Sequence, residues 1–275
     1  MLFKIFIIIL FTIFISQKSV TLSIKLLKNA HCTSKNYRGF DVILGVGIAF
    51  VPIIISCLAF AMLVFSSEHL NYTPYLFTVC VIAFAGLLDD LTGNKQIKGL
   101  KNHIKSFIKG ELTTGFIKAF IGFVASIIIS FGISKNFFDF MLNTFNIALF
   151  TNALNLMDLR PGRCIKFFLF SGFVIIAVSL SNIFEMLPLI IMMIASIIYI
   201  RYDLKEICLL GDTGSNILGI TLGYFSALNF NTINKIILFC ALFMINASAE
   251  KISISKLISN NKVLSYLDNI GRSGS

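Results

Sequence analysis

Two adjacent carboxylates, Asp89 and Asp90, end an apolar run that starts at Tyr72 and closes on Phe84-Ala-Gly-Leu-Leu. A lone Asp at a bilayer centre costs roughly 2.5–3.5 kcal/mol, so such a pair belongs at the water interface. Adjacent like charges raise each other's pKa unless a cation holds them. Lys95, Lys98, Lys101, Lys105 and Lys109 follow directly. Acids at a membrane edge ahead of a cationic loop suit phosphates and a divalent metal, although a stop-transfer boundary with a solvated loop fits the same stretch. Three more segments place polar residues beside apolar runs. Asn152, Asn155 and Asp158 are spaced i, i+3, i+6, an arc of about 120° on one side of a helix. Arg160-Pro161-Gly162-Arg163 then ends that helix. In Gly211-Asp212-Thr213-Gly214-Ser215, Asp212 can N-cap a helix with Ser215 at N3, or hold Mg²⁺ while free N–H groups face a phosphate. Asn36-Tyr37-Arg38-Gly39 precedes Gly45-Val46-Gly47, where an Arg and a helix N-terminus can receive a phosphate. An ordinary juxtamembrane loop is the competing reading there.

The elements that must position these residues are membrane helices. The 275 residues are 57% hydrophobic and 13% charged, with mean hydropathy +0.89. Soluble domains carry about 25% charged residues. Apolar runs recur at about 2–17, 43–66, 72–88, 113–133, 137–157, 164–181, 184–200, 213–229 and 233–249, each near the length a helix needs to cross. The expected fold is all-α: one polytopic helical bundle over residues 1–275, about nine transmembrane helices, N-terminus outside. Met1–Ile15 reads as an uncleaved first span, because Lys4 is a weak basic start and Ser16–Ser19 lacks a small-residue cleavage site. With that orientation, nineteen of the 23 Lys and Arg fall inside, and Lys4, Lys135 and Lys235 fall outside. Lys118 lies within a span, where it is expected to snorkel to the inner face. The bias explains the net charge of +10 without a nucleic acid, and it puts every acidic motif on the cytoplasmic side. Ile97, Leu100, Ile104, Phe107 and Ile108 opposite lysines suggest an interfacial helix, as do Ile254, Leu257, Ile258, Val263, Leu264, Leu267 and Ile270 in the tail 250–275. The six Cys form no C-x-x-C and the three His, at 31, 69 and 103, have no ligand spacing.

In order, Asn36-x-Arg38-Gly39 with Gly45-x-Gly47, Gly86-x-x-Asp89-Asp90, Asn152-x-x-Asn155-x-x-Asp158 and Gly211-Asp212-x-Gly214-Ser215 resemble the polyprenyl-phosphate N-acetylhexosamine-1-phosphate transferase family. The resemblance runs from about residue 36 to 220. It implies transfer of a sugar 1-phosphate from a UDP-sugar to polyprenyl phosphate, with release of UMP and with Mg²⁺, in cell-envelope polysaccharide or peptidoglycan-type synthesis at the plasma membrane. It also implies catalytic roles for Asp89, Asp90 and Asp212, with Mg²⁺ on Asp212 and Asp89. One of the paired acids would be the base on the lipid phosphate. Asn36, Arg38, Asn152, Asn155, Asp158, Arg160 and Arg163 would contact substrate. A homodimer is left open. The chain is divergent: Leu159 follows Asp158, Pro161 stands where the family has a second Asp, Ile43-Leu44-Gly45-Val46 replaces a Pro-x-Gly-Gly run, and Glu250–Ser275 has no His. Arg160 and Arg163 are expected to take over a donor contact, with positive-inside anchoring as the alternative.

Two other function classes compete. A catalytically impaired relative would bind polyprenyl lipid or act as a scaffold, and it separates from the enzyme by UMP release. A small-solute transporter calls for inverted repeats and mid-span breaks, whereas here there is no repeat and the polar motifs share one face.

Overall fold

The computed structural model describes residues 2–65, 72–93, 106–179 and 184–272. The lysine-rich stretch at 95–105, with most of the interfacial helix expected around it, lies outside the described residues, as do His69 and His103. Among the described residues, nine long helices fall on the nine apolar runs: α1 (Leu2–Asn29), α2 (Phe50–Val64), α3 (Thr73–Thr92), α4 (Thr114–Ile133), α5 (Phe137–Met157), α6 (Arg163–Val178), α7 (Leu187–Leu204), α8 (Gly211–Asn229) and α9 (Thr232–Lys251). Local chemistry sets their ends. Thr113 caps α4 by accepting the Phe116 N–H, Asn136 caps α5 through the Asp139 N–H, and Asn231 caps α9 through the Asn234 N–H. Pro occupies the first turn of α3 and of α7.

The protein is an all-α membrane bundle. Among the described residues, six helices are long and apolar enough to cross a membrane: α1, α2 with its 3₁₀ entry Val46–Ala49, α3, α4, α7 and α9. The other three are shorter or more polar. α6 has 16 residues, α5 carries Asp139, Asn143, Asn146, Asn152 and Asn155, and α8 is rich in Gly, Ser and Thr. Burial resolves the polarity of α8. Apart from Asp212, Gly211–Ala227 is buried, so its polar side chains face protein.

The bundle wraps around α8, with α5 and α3 packed most extensively against it. Small residues permit the approach. A Cβ on Gly86 of α3 would meet the Thr213 Cα at 2.6 Å, and one on Gly223 would meet the Ile147 Cα of α5 at 2.6 Å. Gly47 and Gly214 face each other in the same way at the start of α2.

Consecutive long helices reverse direction, which gives the bundle two polar ends. At one end Tyr72 donates to the Phe184 carbonyl (2.6 Å), Ser179 meets Asn229 (3.0 Å), and Asp139 pairs with Lys235 (2.6 Å). Lys235, counted above as a simple outer charge, is therefore buried against α5. The other end gathers the C-termini of α3, α5 and α7 and the N-termini of α4, α6 and α8. A short hairpin also lies there, with β1 (Thr33–Lys35) antiparallel to β2 (Asp41–Ile43). It is hydrogen-bonded to the α7–α8 link through the Leu209 N–H and the Ile43 carbonyl (2.7 Å). The tail adds α10 (Ile254–Ser259) and α11 (Lys262–Asn269). On α11, Val263, Tyr266 and Leu267 face outward and Asp268 faces the protein.

Candidate active site

The N-terminus of α8 is the centre of the polar end. Its first three N–H groups have no helical partner and need acceptors. Carboxylates from two other helices supply them. The Gly211 N–H donates to Asp158 Oδ2 (3.1 Å), just past the end of α5. Asp90 on α3 accepts from the Asp212 N–H (2.8 Å), the Thr213 N–H (3.0 Å) and the Thr213 hydroxyl (2.6 Å). Asp90 is thus the cap of α8, supplied from α3. The expected self-cap is absent: Leu210 precedes α8 and offers no side-chain acceptor, and Asp212 sits in the first turn. The N–H groups expected to face a phosphate are already bonded. Gly211 has φ +76°, and a Cβ there would come 2.6 Å from Asp90 Oδ2, so Gly leaves room for the Asp90 carboxylate against this backbone.

Asp212 instead turns its side chain toward α4. Lys118 Nζ lies 2.6 Å from Asp212 Oδ2 and 2.7 Å from Asp89 Oδ2. Thr114, one turn before Lys118, donates to Asp89 Oδ1 (2.5 Å). Lys118 therefore bridges two carboxylates from α3 and α8. Sequence reasoning missed this role, and likewise those of Thr114 and Thr213. A signal was available for Lys118: an ionisable residue inside an apolar span is functional by default.

Asn155 accepts from the Ser215 hydroxyl (3.4 Å) and so faces α8. Asn152, one turn earlier, donates to Asn246 of α9 (2.6 Å), an interhelical bond away from the acids. Desolvation holds the Asp158 carboxyl well above the ordinary carboxylate value, and the charges of Asp203, Asp212 and Asp90 push it the same way. The cluster is short of positive charge.

Asn36 and Arg38 lie in the hairpin turn, and Arg160, from the turn after α5, joins them. Asn36 Oδ1 accepts the Arg38 and Phe40 N–H groups, which shapes the turn, and its amide donates to Glu206 (2.8 Å). Arg38 Nε donates to the Tyr37 hydroxyl (2.7 Å), which donates to Glu206 (3.1 Å). The Arg160 guanidinium lies over the Tyr37 ring, 4.2 Å from its centroid. Arg163 points elsewhere and forms a bidentate pair with Asp268 in the tail, both bonds 2.8 Å.

The chain matches the family model described as glycosyl transferase family 4 over residues 72–229, more than half its length. It belongs to glycosyl transferase family 4. The match spans α3 through α8, and so takes in Asp89, Asp90, Lys118, Asn155, Asp158 and Asp212. Members of this family are transferases that move a phospho-sugar to polyprenyl phosphate. No curated protein matches the chain.

The family chemistry implies a divalent cation, and the residues present fit one. The Lys118 ammonium lies within 2.7 Å of carboxylate oxygens from both Asp89 and Asp212, so the two carboxylates are near enough to share one cation. Among the described residues, no group of three His, Cys, Asp or Glu is placed to hold a metal. Two carboxylates, with waters and substrate phosphates completing the shell, is how Mg²⁺ is usually held; Zn²⁺ would call for more protein ligands.

Proposed function

We propose that this protein transfers a sugar 1-phosphate from a UDP-sugar to a membrane polyprenyl phosphate, releasing UMP, for a cell-envelope polysaccharide or peptidoglycan-type product. One observation carries the reading: Asp89 and Asp212, from different helices, meet on the Lys118 ammonium inside a cluster that also holds Asp90 and Asp158. In the reaction an oxygen of the acceptor phosphate attacks the phosphorus bearing the sugar. The bond from that phosphorus to the UMP oxygen breaks, and UMP leaves with the electron pair. A phosphate monoester has a second pKa near about 6, so the acceptor is already largely dianionic at pH 7. Positioning and charge neutralisation then dominate, and a base contributes little.

The residues divide the work. Asp89 and Asp212 would hold Mg²⁺, which when bound neutralises charge on the transferring phosphoryl group. Lys118 keeps the two carboxylates together and offers its ammonium to a phosphate oxygen. Thr114 fixes the Asp89 rotamer. Asp90 holds the N-terminus of α8 in register with α3. Asn155, Asp158 and Arg160 make the nucleotide side, and Asn36 shapes the turn that presents Arg38 and Tyr37 to it. An apolar groove of about 150 Å³ between α3 and α4, lined by Phe77, Val81, Phe120 and Val124, gives the prenyl chain a path along the same two helices that carry Asp89 and Lys118.

Nine crossings of the plasma membrane, with the N-terminus outside and the acids at the cytoplasmic face, complete the reading. The up-and-down alternation and the nineteen inner Lys and Arg support it. The outward apolar residues of α11 support a tail lying on the membrane surface. The test is UMP release from a panel of UDP-sugars with polyprenyl phosphate and Mg²⁺ in detergent. Release from at least one donor is expected. Lipid binding without release from any donor would leave a non-catalytic relative.

A further inference from the structure

Two cations occupy the first turn of α6, Arg163 and Lys166. Positive charge at a helix N-terminus opposes the helix dipole, so helix preference does not explain them. The tail does. Arg163 Nε and Nη2 hold both oxygens of Asp268 at 2.8 Å, and Nη1 donates to Ser255 of α10 (3.0 Å). Lys166 Nζ reaches the carbonyls of Leu267 (2.9 Å), Asp268 (2.9 Å) and Ile270 (2.7 Å) at the end of α11, where helix carbonyls need partners. Arg272 pairs with Asp268 (2.7 Å) and donates to the Pro161 carbonyl (2.9 Å). The side chains of Arg163, Asp268 and Arg272 are 6%, 10% and 7% exposed, an enclosed charged knot rather than a surface pair.

These bonds converge on the turn 158–163. Its other side is held by α7: the Gly162 N–H donates to Asp203 Oδ2 (2.8 Å), and Gly162 and Gly271 both pack against Leu204. The same turn carries Arg160 and begins at Asp158, which accepts the first N–H of α8. We propose that the tail helices are a strap that clamps the turn 158–163 against α7, with Asp268 as a positioning residue for the nucleotide side of the site. Asp268 touches no substrate and acts through Arg163 and the turn. The effect on turnover rests on the transferase reading above; the clamp itself does not.

The chain has its own reporter. Cys164 is fully buried directly after Arg163, and Cys57 is fully buried in α2, away from the turn. The experiment labels the full-length parent and Asp268→Asn with N-ethylmaleimide and reads each cysteine by peptide mass. Cys164 labelling is expected to rise by roughly tenfold or more in Asp268→Asn while Cys57 stays protected, the signature of a local opening. Unchanged Cys164 overturns the strap. Equal gains at Cys57 and Cys164 also overturn it, because the pair would then hold the whole fold. With an active donor, Asp268→Asn is expected to raise donor KM about three- to tenfold with acceptor KM unchanged, and equal changes in both would remove the positioning role. A parent that releases no UMP refutes the transferase reading, and the Cys164 result still decides the clamp.

Discussion

Asp90 and Asp212 separate by role. Three hydrogen bonds commit Asp90 to the start of α8, whereas Asp212 faces Lys118. Asp90→Ala is expected to lower stability by about 1–3 kcal/mol, read as a fall in the thermal midpoint in detergent, since it strips two N–H groups and a hydroxyl of their acceptor. Lys118→Met leaves Asp89 and Asp212 facing each other without their cation. We expect UMP release to fall at least about a hundredfold in Lys118→Met, with part of it recovered in Lys118→Arg; equal activity in all three proteins would make Lys118 a spectator. At this scale the sequence was legible for the acids and not for their partners. Residue type and spacing pointed to Asp89, Asp90, Asp158 and Asp212, because carboxylates at the ends of apolar runs are costly to place. Which acid caps and where Lys118 points depend on contacts such as Lys118–Asp212 and Asp90–Asp212, 94 and 122 residues apart along the chain, and spacing carries no information on those.

Helices are held close by small residues, and the tail by charge. Gly86→Val is expected to push α3 off Thr213 and lower the thermal midpoint, while Gly132→Val, with open space around its Cβ position, is expected to be tolerated. Comparable losses in both would show that close α3–α8 packing is unimportant. The tail should respond to acid. Burial raises the Asp268 pKa, but Arg163 and Arg272 lower it more, so the folded value lies below the ordinary one; Lys166 is the other cation facing it. A depressed carboxylate stabilises above its unfolded pKa and loses that contribution as pH falls through the folded value. The difference in thermal midpoint between the parent and Asp268→Asn should therefore be constant from neutral pH to about pH 4 and shrink below it. A difference that faded between pH 8 and pH 5 would rule out this pair as its source. Helix number and most ends were legible from apolar length and from Pro, Gly, Thr and Asn at the boundaries. The period of Asn152, Asn155 and Asp158 suggests one helical side; of these α5 carries only the two Asn, Asn155 toward Ser215 of α8 and Asn152 toward Asn246 of α9, while Asp158 lies just past the helix end.

Across the whole molecule, alternating helices bring six helix ends to one polar face, and the proposed orientation, which rests on the charge bias, turns that face to the cytoplasm. A reporter fused to the C-terminus is expected to be active only on the cytoplasmic side; activity outside would invert the account. The central role of α8 was not legible, because its Gly, Ser and Thr content lowers its hydropathy below that of a lipid-facing span, and only its enclosure by α3, α5 and their neighbours explains why it is tolerated. The central claim is that Asp89 and Asp212 form one cation-binding centre for phosphoryl transfer. The direct measurement is Mg²⁺-dependent UMP release by the parent, Asp89→Asn and Asp212→Asn, compared at matched thermal midpoints. The account predicts that both variants fold and that each loses at least about a hundredfold in activity at every Mg²⁺ concentration. Parent-like, Mg²⁺-dependent release from either variant would contradict it.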